Sequence, residues 1–595
     1  MKKHSHLVSI RLYLVFLALL CAKHGIAALD VTKYIPIDEV RADMDAYCLT
    51  VFSGMEIERF GLKVVSVVRG VKPGQDMIVV MGTDERFQHA GVVHGCSGSP
   101  VFIDGRLAGA LAAGWDGSLD SLYMVRPIED MLQAGSIETV GNRQPKPAFR
   151  FDFSQPLNLA DIYQESMDQL QTMQSEQGPL IPLSSSLPVG AWESLRKPLR
   201  QMGFVPVNAP AGLPTAAEAT ELEPGGVLAI VLCGGDISLA ATGTVTEIVG
   251  DQVYGFGHSF KGQGPTNLPI AAGIVHAVVA SRNNSFKFSS PGPVLGTLQF
   301  DQSSAVRGTI GVTPKTIPLT IRVNRDNDPE DRTYNCYLAA DRVYTPMILQ
   351  MALNGAALLQ GPLPPEHTVR YEARVSVKGQ EPLVINNVSS GRSTAEVERN
   401  LYAIVTTLLN NPFEDLRIES IDVAVDIVSV DSTVDIWAVD VSRTRVRPGQ
   451  TISAIVTLHS FRSEESTAVI EFTVPETAVP GRYTLQILGD REYQRFVTQM
   501  VPQRYQAFDV GTMMEAFGRV TRFRNDRLHV VMPVASSGVV LRQHELPQLP
   551  ATKMLLMVDS KRLQPAEPYK AWSENEIQID KIVSGTAEIE IIVER

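Results

Sequence analysis

The chain has 595 residues, of which 44% are hydrophobic and 20% are charged, and its formal net charge is −12. This length predicts several domains rather than one core, and this composition is typical of a soluble globular protein. The acidic balance argues against general nucleic-acid binding, because displacing the counterions of phosphates requires a basic surface.

The N-terminus has the pattern of a secretory signal. Basic residues, among them Lys2 and Lys3, precede the apolar run LYLVFLALLCA, and small residues follow near Ala27 and Ala28. The run is too short to span a bilayer, which takes about 20 residues. We therefore expect residues 1–28 to be a signal peptide and the mature protein to be exported without a transmembrane anchor, to the periplasm, the cell surface or the medium.

The cysteines exclude two kinds of site. Cys21 belongs to the predicted signal, and Cys48, Cys96, Cys233 and Cys336 are widely spaced, without a CxxC pair. This spacing indicates neither a structural zinc site nor a disulfide-dense protein. The spacing is compatible with one disulfide, and equally with four unpaired, buried thiols. The sequence also lacks HExxH and GxxxxGK[ST], so neither metal nor nucleotide chemistry is predicted.

The sequence predicts two β-rich segments and a linker between them in the first half of the chain. Residues 29–140 contain Val- and Ile-rich runs separated by Gly, Pro and Asp, which predict short strands. Residues 141–220 predict a linker with two short helices, the second kinked by Pro198. Strands resume over 221–350, where Gly250-Asp251 predicts a hairpin.

The second half predicts two further β-rich units. Residues 351–505 contain one clear helix, introduced by a capping box of Ser393 and Glu396, and then apolar residues at period two that favour an immunoglobulin-like sandwich. Residues 506–595 form another β-rich unit. The sequence therefore predicts a mainly β fold throughout.

A small-residue turn stands out in the first segment. Gly95-Cys96-Ser97-Gly98-Ser99-Pro100 lies between two apolar runs. Acyl transfer needs a nucleophilic hydroxyl, a base, and backbone N–H groups that face the developing oxyanion. Ser97 supplies a hydroxyl, and glycine at 95 permits the backbone dihedrals that bring amides together. An ordinary hairpin turn has the same spacing.

The base must come from elsewhere in the chain. His258 lies between Gly257 and a glycine-rich loop, just after an apolar strand, where an imidazole can reach a cleft. His94 lies on the predicted strand that precedes the serine turn. The apolar run around His276 predicts a structural histidine on a strand. Taken alone, His258 also fits a structural role.

Three ordered blocks resemble the SpoIVB-type serine peptidases, named for the stage IV sporulation protein B. GVVHGCSGSPVFIDGRLAGAL resembles their Gly-Met-Ser-Gly-Ser-Pro segment, and VYGFGHSF resembles their Gly-His segment. SFKFSSPGPVLGTLQFDQSSAVRGTIG resembles the stretch that follows. The resemblance covers about residues 35–325 and implies a chymotrypsin-like double β-barrel that cleaves peptide bonds in protein substrates without a cofactor.

The resemblance also implies roles for individual residues. Ser97 matches the nucleophile and His258 the general base, and the backbone N–H groups of Gly95 and Ser97 would form the oxyanion hole. Position 96 is Cys where the family usually has Met. The serine precedes the histidine, so the two barrel halves are expected in permuted order.

The acid of the triad is the least defined part of this prediction. Asp84 lies nearest to the place where the family has its acid, shortly before the serine, although its spacing is not a clean match. Asp236 and Asp301 are alternatives, and each also fits an ordinary turn residue.

The sequence leaves two other functions to weigh against a serine peptidase. A non-catalytic surface or binding protein could retain the peptidase fold, with the large β-rich C-terminal region docking a partner. A cysteine hydrolase using Cys96 is disfavoured, because the turn presents residue 97. The leading prediction is an exported serine endopeptidase that can process itself, of undetermined oligomeric state.

Overall fold

A computed structural model describes residues 29–72, 74–115, 117–136, 147–172, 180–208, 219–282, 284–390, 394–460, 465–541, 543–557 and 566–595. The predicted signal peptide lies outside these residues. Within the described ranges, no helix combines the length and the apolar character needed to cross a membrane.

The described residues form a mainly β structure, as predicted. The strands before residue 311 are β1 (Asp45–Thr50), β2 (Glu58–Lys72), β3 (Gln75–Gly82), β4 (Val93–His94), β5 (Pro100–Ile103), β6 (Arg106–Gly114), β7 (Leu122–Pro127), β8 (Ile181–Ser185), β9 (Phe204–Asn208), β10 (Val227–Gly235), β11 (Leu239–Val249), β12 (Gln252–Gly255), β13 (Gly264–Val279), β14 (Ser285–Gln302) and β15 (Ala305–Ile310).

The later strands are β16 (Thr316–Arg325), β17 (Arg332–Ala339), β18 (Thr368–Val377), β19 (Leu383–Ser390), β20 (Ile418–Val428), β21 (Thr433–Val441), β22 (Arg445–Val446), β23 (Thr451–His459), β24 (Ser466–Thr473), β25 (Gly481–Gly489), β26 (Arg527–Val534), β27 (Gly538–Leu541), β28 (His544–Pro547), β29 (Glu567–Pro568), β30 (Ala571–Gln578), β31 (Ile582–Ser584) and β32 (Thr586–Val593).

The helices are fewer and mostly pack on the strands. They are α1 (Glu85–Ala90), α2 (Ile128–Leu132), α3 (Leu159–Thr172), α4 (Arg196–Gln201), α5 (Tyr344–Leu358), α6 (Ala395–Asn410), α7 (Asp490–Met500), α8 (Val510–Val520) and α9 (Ala551–Met557), with 3-10 turns at Ile37–Glu39, Val189–Leu195 and Pro502–Tyr505.

The first β-rich segment closes into a barrel. Its strands pair in the order β1-β2-β3-β7-β6-β5, and β5 returns to β1. Apolar side chains alternate inward along the strands and fill the barrel, where Phe60, Phe87 and Tyr123 pack together. We call this unit the serine barrel, because Ser97 lies in the loop directly before β5.

Six strands of the next β-rich segment also pair in a cycle. β10 pairs with β11, β11 with β12, β12 with β15, β15 with β14, β14 with β13, and β13 with β10. If the six strands of each cycle are numbered by their place in the chain, both cycles pair in the order first, second, third, sixth, fifth, fourth. We call the second cycle the histidine ring, because His258 follows its third strand. The predicted hairpin at Gly250-Asp251 joins β11 to β12 and is confirmed.

The histidine ring is part of a 14-stranded sheet. Strand β17 pairs with β10, β16 with β17, and β20 runs parallel to β16. This sheet therefore crosses the predicted boundary at 350/351. Helices α5 and α6 pack on it and share its core with α3. The predicted helix over this region begins after Thr394, and Ser393 of the expected capping box lies outside the described residues.

The C-terminal strands form three smaller sheets. The four-stranded sheet β24-β23-β21-β31 and the five-stranded sheet β22-β32-β25-β26-β30 bury a common apolar core. Strand β25 pairs with both β26 and β32, so the predicted units 351–505 and 506–595 share a sheet. The immunoglobulin-like class of this region stays a prediction.

Candidate active site

The serine turn is shaped by two glycines in the left-handed region. The φ angles of Gly95 and Gly98 are 94° and 96°, values that favour glycine over residues with a Cβ. Between them, the Cys96 carbonyl oxygen accepts hydrogen bonds from the Ser99 amide at 2.9 Å and the Ser99 hydroxyl at 2.7 Å. The turn is therefore closed on itself by its own backbone and by the buried Ser99.

This closure fixes the direction of the Ser97 amide. The described chain has no cis peptide bond, so the Ser97 N–H points away from the Cys96 carbonyl, which faces inward. Among the described residues, nothing accepts a hydrogen bond from the Ser97 amide. The amide is available to an acceptor outside the turn, and Ser97 itself is partly exposed.

The turn is seated on strand β11 of the histidine ring. The Ser97 carbonyl accepts from the Thr244 amide at 2.8 Å, and the Gly98 carbonyl accepts from the Thr246 hydroxyl at 2.7 Å. A Cβ on Gly98 would lie 2.0 Å from the Thr244 carbonyl oxygen and 2.5 Å from the Phe256 amide nitrogen. Only glycine permits this approach of the two backbones.

His258 is carried by a second left-handed turn. Phe256 and Gly257 have φ angles of 66° and 69°, directly after β12. A bulky residue such as Phe256 rarely adopts this region, so surrounding contacts must hold it there. The Arg126 side chain of the serine barrel supplies one of them, since its Nε donates to the Gly257 carbonyl at 3.4 Å.

The two turns meet at one carbonyl of the serine barrel. The Gly98 amide donates to the Leu111 carbonyl oxygen at 2.7 Å. A Cβ on Gly257 would lie 3.2 Å from the same oxygen. The neighbours of Ser97 and of His258 therefore pack against a common point, although these residues are about 160 positions apart in sequence.

The surroundings of His258 favour a neutral imidazole. Burial lowers its pKa to about 4, and the positive charges of Lys261 and Arg126 act in the same direction. Nδ1 lies 2.7 Å from the Ser259 carbonyl oxygen, which can only accept, so Nδ1 carries the proton. Nε2 is therefore the basic nitrogen, and it is buried without a hydrogen-bond partner among the described residues.

The predicted acids lie in three different settings. Asp84 caps α1, where its carboxylate accepts from the Arg86 amide at 2.9 Å and pairs with the Arg86 side chain at 3.1 Å. Asp236 accepts from the Asn335 amide at 2.7 Å. Within the described part of the chain, neither carboxylate bonds to His258, and the role of Asp84 as triad acid stays a prediction.

Asp301 is the aspartate tied to the histidine loop. It is buried, and its oxygens accept from the amides of Phe260 at 2.6 Å, Lys261 at 2.7 Å and Gln263 at 3.3 Å. Burial raises its pKa, and the backbone hydrogen bonds oppose that shift. Asp301 thus fixes the loop that directly follows His258.

The other nucleophile and the other histidines fit structural roles. All four described cysteines are free and buried, and burial raises the pKa of the Cys96 thiol, which disfavours a thiolate. His276 bonds to the Ser290 hydroxyl at 2.9 Å, as expected of a strand histidine. His94 is buried and close enough to His258 to lower its pKa further.

Sequence reasoning missed the polar residues beneath the serine turn. Lys287 is fully buried, and its Nζ lies 2.7 Å from Thr50 Oγ1 and 3.2 Å from Thr244 Oγ1. Its sequence signal is weak, because a lysine between Phe286 and Phe288 is read as the outward residue of an amphipathic strand. The structure reverses that alternation and buries the lysine.

Comparison with known protein families gives a match that covers most of the serine barrel. No curated protein matches the chain. One family matches at residues 27–124, a range that includes the serine turn and most of the serine barrel. That family is described as SpoIVB peptidase S55, and the match supports the resemblance to SpoIVB-type peptidases that the sequence itself indicated.

Proposed function

We propose that this protein is a serine endopeptidase in which Ser97 is the nucleophile and His258 the general base. The observation that carries the proposal is the meeting of the serine turn and the histidine turn at the Leu111 carbonyl. The family match at residues 27–124 adds the reaction class, because it implies hydrolysis of peptide bonds in protein substrates.

The fold that we propose for the catalytic part is a chymotrypsin-like double barrel with its halves in permuted order. The closed serine barrel and the histidine ring support this proposal, since both contain six strands in the same order of pairing. Ser97 comes directly before the fourth strand of one cycle, and His258 follows the third strand of the other. Each reactive side chain thus sits on a loop between rigid strands.

In the proposed reaction the nucleophile, the base and the oxyanion donors all come from this chain, and water is the second substrate. Nε2 of His258 removes the proton from the Ser97 hydroxyl as it attacks the substrate carbonyl, and the imidazolium then protonates the leaving amine. Water then attacks the acyl-enzyme while His258 removes its proton, and the imidazolium returns that proton to Ser97 Oγ as the ester bond breaks and the acid product leaves. The Ser97 amide faces outward and would donate to the oxyanion together with the Gly95 amide. Removing one such donor typically slows a reaction about 10²–10³-fold.

The site is proposed to act after export, as the N-terminal pattern predicts. Self-processing belongs to the same proposal and requires a segment of another copy or of the same chain to enter the site.

The experiment compares Ser97→Ala and His258→Gln with the wild type in two assays. In the first, a fluorophosphonate probe measures covalent labelling of an activated serine. In the second, mass spectrometry follows the cleavage of a peptide library and of the protein itself. We expect both variants to label at least ~100-fold more slowly and to lose cleavage.

Ser118→Ala is the matched control, because Ser118 is a partly exposed serine in a loop of the same barrel. It should label and cleave like the wild type. Equal labelling of the wild type and Ser97→Ala would remove Ser97 from the reaction. Labelling without cleavage of any peptide would identify a serine hydrolase of another substrate class.

A further inference from the structure

Lys287 occupies a position that is costly for a lysine. It lies on β14, is 0% exposed, and contacts both cycles through Thr50 at the end of β1 and Thr244 on β11. No carboxylate pairs with its ammonium among the described residues. Burial lowers its pKa, and the nearby thiols of Cys96 and Cys48 oppose that shift. Burying such a group is costly unless it is hydrogen-bonded, and here the two threonine hydroxyls are its partners.

One threonine connects the lysine to Gly95. An ammonium only donates, so Thr244 Oγ1 accepts from Lys287 and turns its own hydrogen toward another acceptor. That acceptor is the Gly95 carbonyl oxygen, at 2.9 Å. The lysine stem also lies against Gly95, where an added Cβ would be 3.1 Å from Lys287 Cβ.

The other threonine connects the lysine to the peptide bond before Ser97. Thr50 Oγ1 accepts from Lys287 and lies 3.0 Å from the Ser99 hydroxyl oxygen. The Ser99 hydroxyl donates both to Thr50 Oγ1 and to the Cys96 carbonyl oxygen, the latter at 2.7 Å, so Thr50 accepts from Lys287 and from Ser99. Thr50 Oγ1 thus joins the ammonium to the Ser99 hydroxyl, which in turn holds the Cys96 carbonyl.

These two sets of hydrogen bonds hold the Gly95 and Cys96 carbonyls on the inner side of the turn. In a trans peptide the N–H lies opposite the C=O, so an inward Cys96 carbonyl sets an outward Ser97 amide. The ammonium donates to both threonine hydroxyls at once and so fixes the position of both oxygens. A side chain without a donor at 287 would remove the group that Thr50 and Thr244 share, and with it the support of their bonds to Ser99 and Gly95.

We infer that Lys287 is a positioning residue of the serine turn, which through Thr50 and Thr244 aims the Ser97 amide at the oxyanion of the substrate. This inference rests on the proposed function of Ser97. It predicts that Lys287 acts on the chemical step and not on the entry of a substrate or probe.

The test measures the fluorophosphonate reaction over a range of probe concentrations in the full chain. For Lys287→Met we expect the maximal rate of serine modification to fall at least ~10-fold, while the half-saturating probe concentration stays within about twofold. A purely structural role would instead change thermal stability or the half-saturating probe concentration. It would leave the maximal rate of serine modification unaffected.

A second pair of variants covers the case in which Lys287→Met does not fold. Thr244→Val removes the hydroxyl that bonds to Gly95, and Thr244→Ser retains it, so serine should restore the maximal rate that valine loses. Thr297→Val is the control, because this buried threonine lies on β14 like Lys287 but bonds to the Val312 carbonyl at 2.7 Å, away from the turn. It should leave the rate unchanged.

The outcomes separate this inference from the proposed function. If Ser97→Ala is inert and both Lys287→Met and Thr244→Val react at the wild-type maximal rate, the positioning role is wrong and the serine reaction stands. If Ser97→Ala reacts like the wild type, the proposed function fails, and the positioning role fails with it.

Discussion

At the scale of single residues, the ionisation of His258 decides when the proposed base can work. A general base must be neutral, and burial keeps this imidazole neutral to a lower pH than an exposed histidine. The proton on Nδ1 is held by the Ser259 carbonyl rather than by a carboxylate. The orientation of the ring therefore depends on the backbone of its own loop.

The pH dependence of labelling tests this setting. The pKa of His258 is lowered from 6.5 to about 4, so Nε2 stays unprotonated as the pH falls through 6.5 and gains its proton near pH 4. Fluorophosphonate labelling should hold its plateau down to about pH 5 and halve close to pH 4. Circular dichroism at each pH monitors folding. An acid limb between pH 6 and 7 would contradict the buried, neutral base.

The three candidate acids can be separated by replacing each with asparagine. Asp301→Asn should slow labelling at least ~10-fold and destabilise the protein by about 1–3 kcal/mol, because an amide cannot accept from all three loop amides. Asp236→Asn is the matched control, a turn carboxylate that holds one amide. Asp84→Asn tests the acid expected from sequence order. Loss of labelling in Asp84→Asn alone would show that Asp84, and not Asp301, supports the reaction.

At the scale of elements, the site depends on how closely the serine turn approaches β11. Gly98 lies against the Thr244 carbonyl, and the turn is bonded to β11 through its own carbonyls. These contacts join two separately closed sets of strands. A parallel pairing of β4 with β14 and the bridge between Gly54 and Val275 reinforce the same junction.

Two glycine variants distinguish the close contact between the serine turn and β11 from the strain that any residue with a Cβ has at positive φ. Gly98→Ala should cost about 1–3 kcal/mol of stability and abolish labelling, since its Cβ would overlap the Thr244 carbonyl. Gly105→Ala lies in the β5–β6 hairpin at φ 77° with no atom within 4 Å of the added Cβ. It should cost about 1 kcal/mol and leave labelling intact. Equal loss of labelling in both variants would contradict the docking role of Gly98.

At the scale of the whole molecule, the C-terminal residues are part of the structure that supports the site. Met513 and Phe517 of α8 belong to the same buried cluster as the helices on the large sheet. Asn525 bonds to the Val388 carbonyl and to Glu396 at the start of α6, both at 2.8 Å. The C-terminal region is thus packed on the core and is not a simple appendage.

Deletion of residues 506–595 tests this integration at the boundary that the sequence suggested. The truncated chain would lose α8 and both neighbours of β25, and it would expose apolar surface of the main core. We expect low soluble yield and a thermal transition at least several degrees below that of the full chain. A truncated chain that melts like the full protein would show that the rest of the chain folds without 506–595.

The sequence by itself determined the features that rest on local interactions. Alternating apolar residues specify strands, the glycines at 95, 98 and 257 permit left-handed turns, and Gly250-Asp251 specifies a hairpin. The resemblance of its serine segment to SpoIVB peptidases could likewise be found in the sequence, because that segment is continuous. These signals identified Ser97 and His258 as candidates.

Only the tertiary structure decided which distant groups meet. Thr244 and Gly95 are 149 residues apart, and Lys287 and Thr50 are 237 residues apart, so no local pattern relates them. The burial of Lys287 and the tie between Asp301 and the histidine loop depend on strands that pair across the chain. The physical reason is that a residue's burial and hydrogen-bond partners are set by non-local packing, whereas its backbone preference is set by its own side chain and its neighbours.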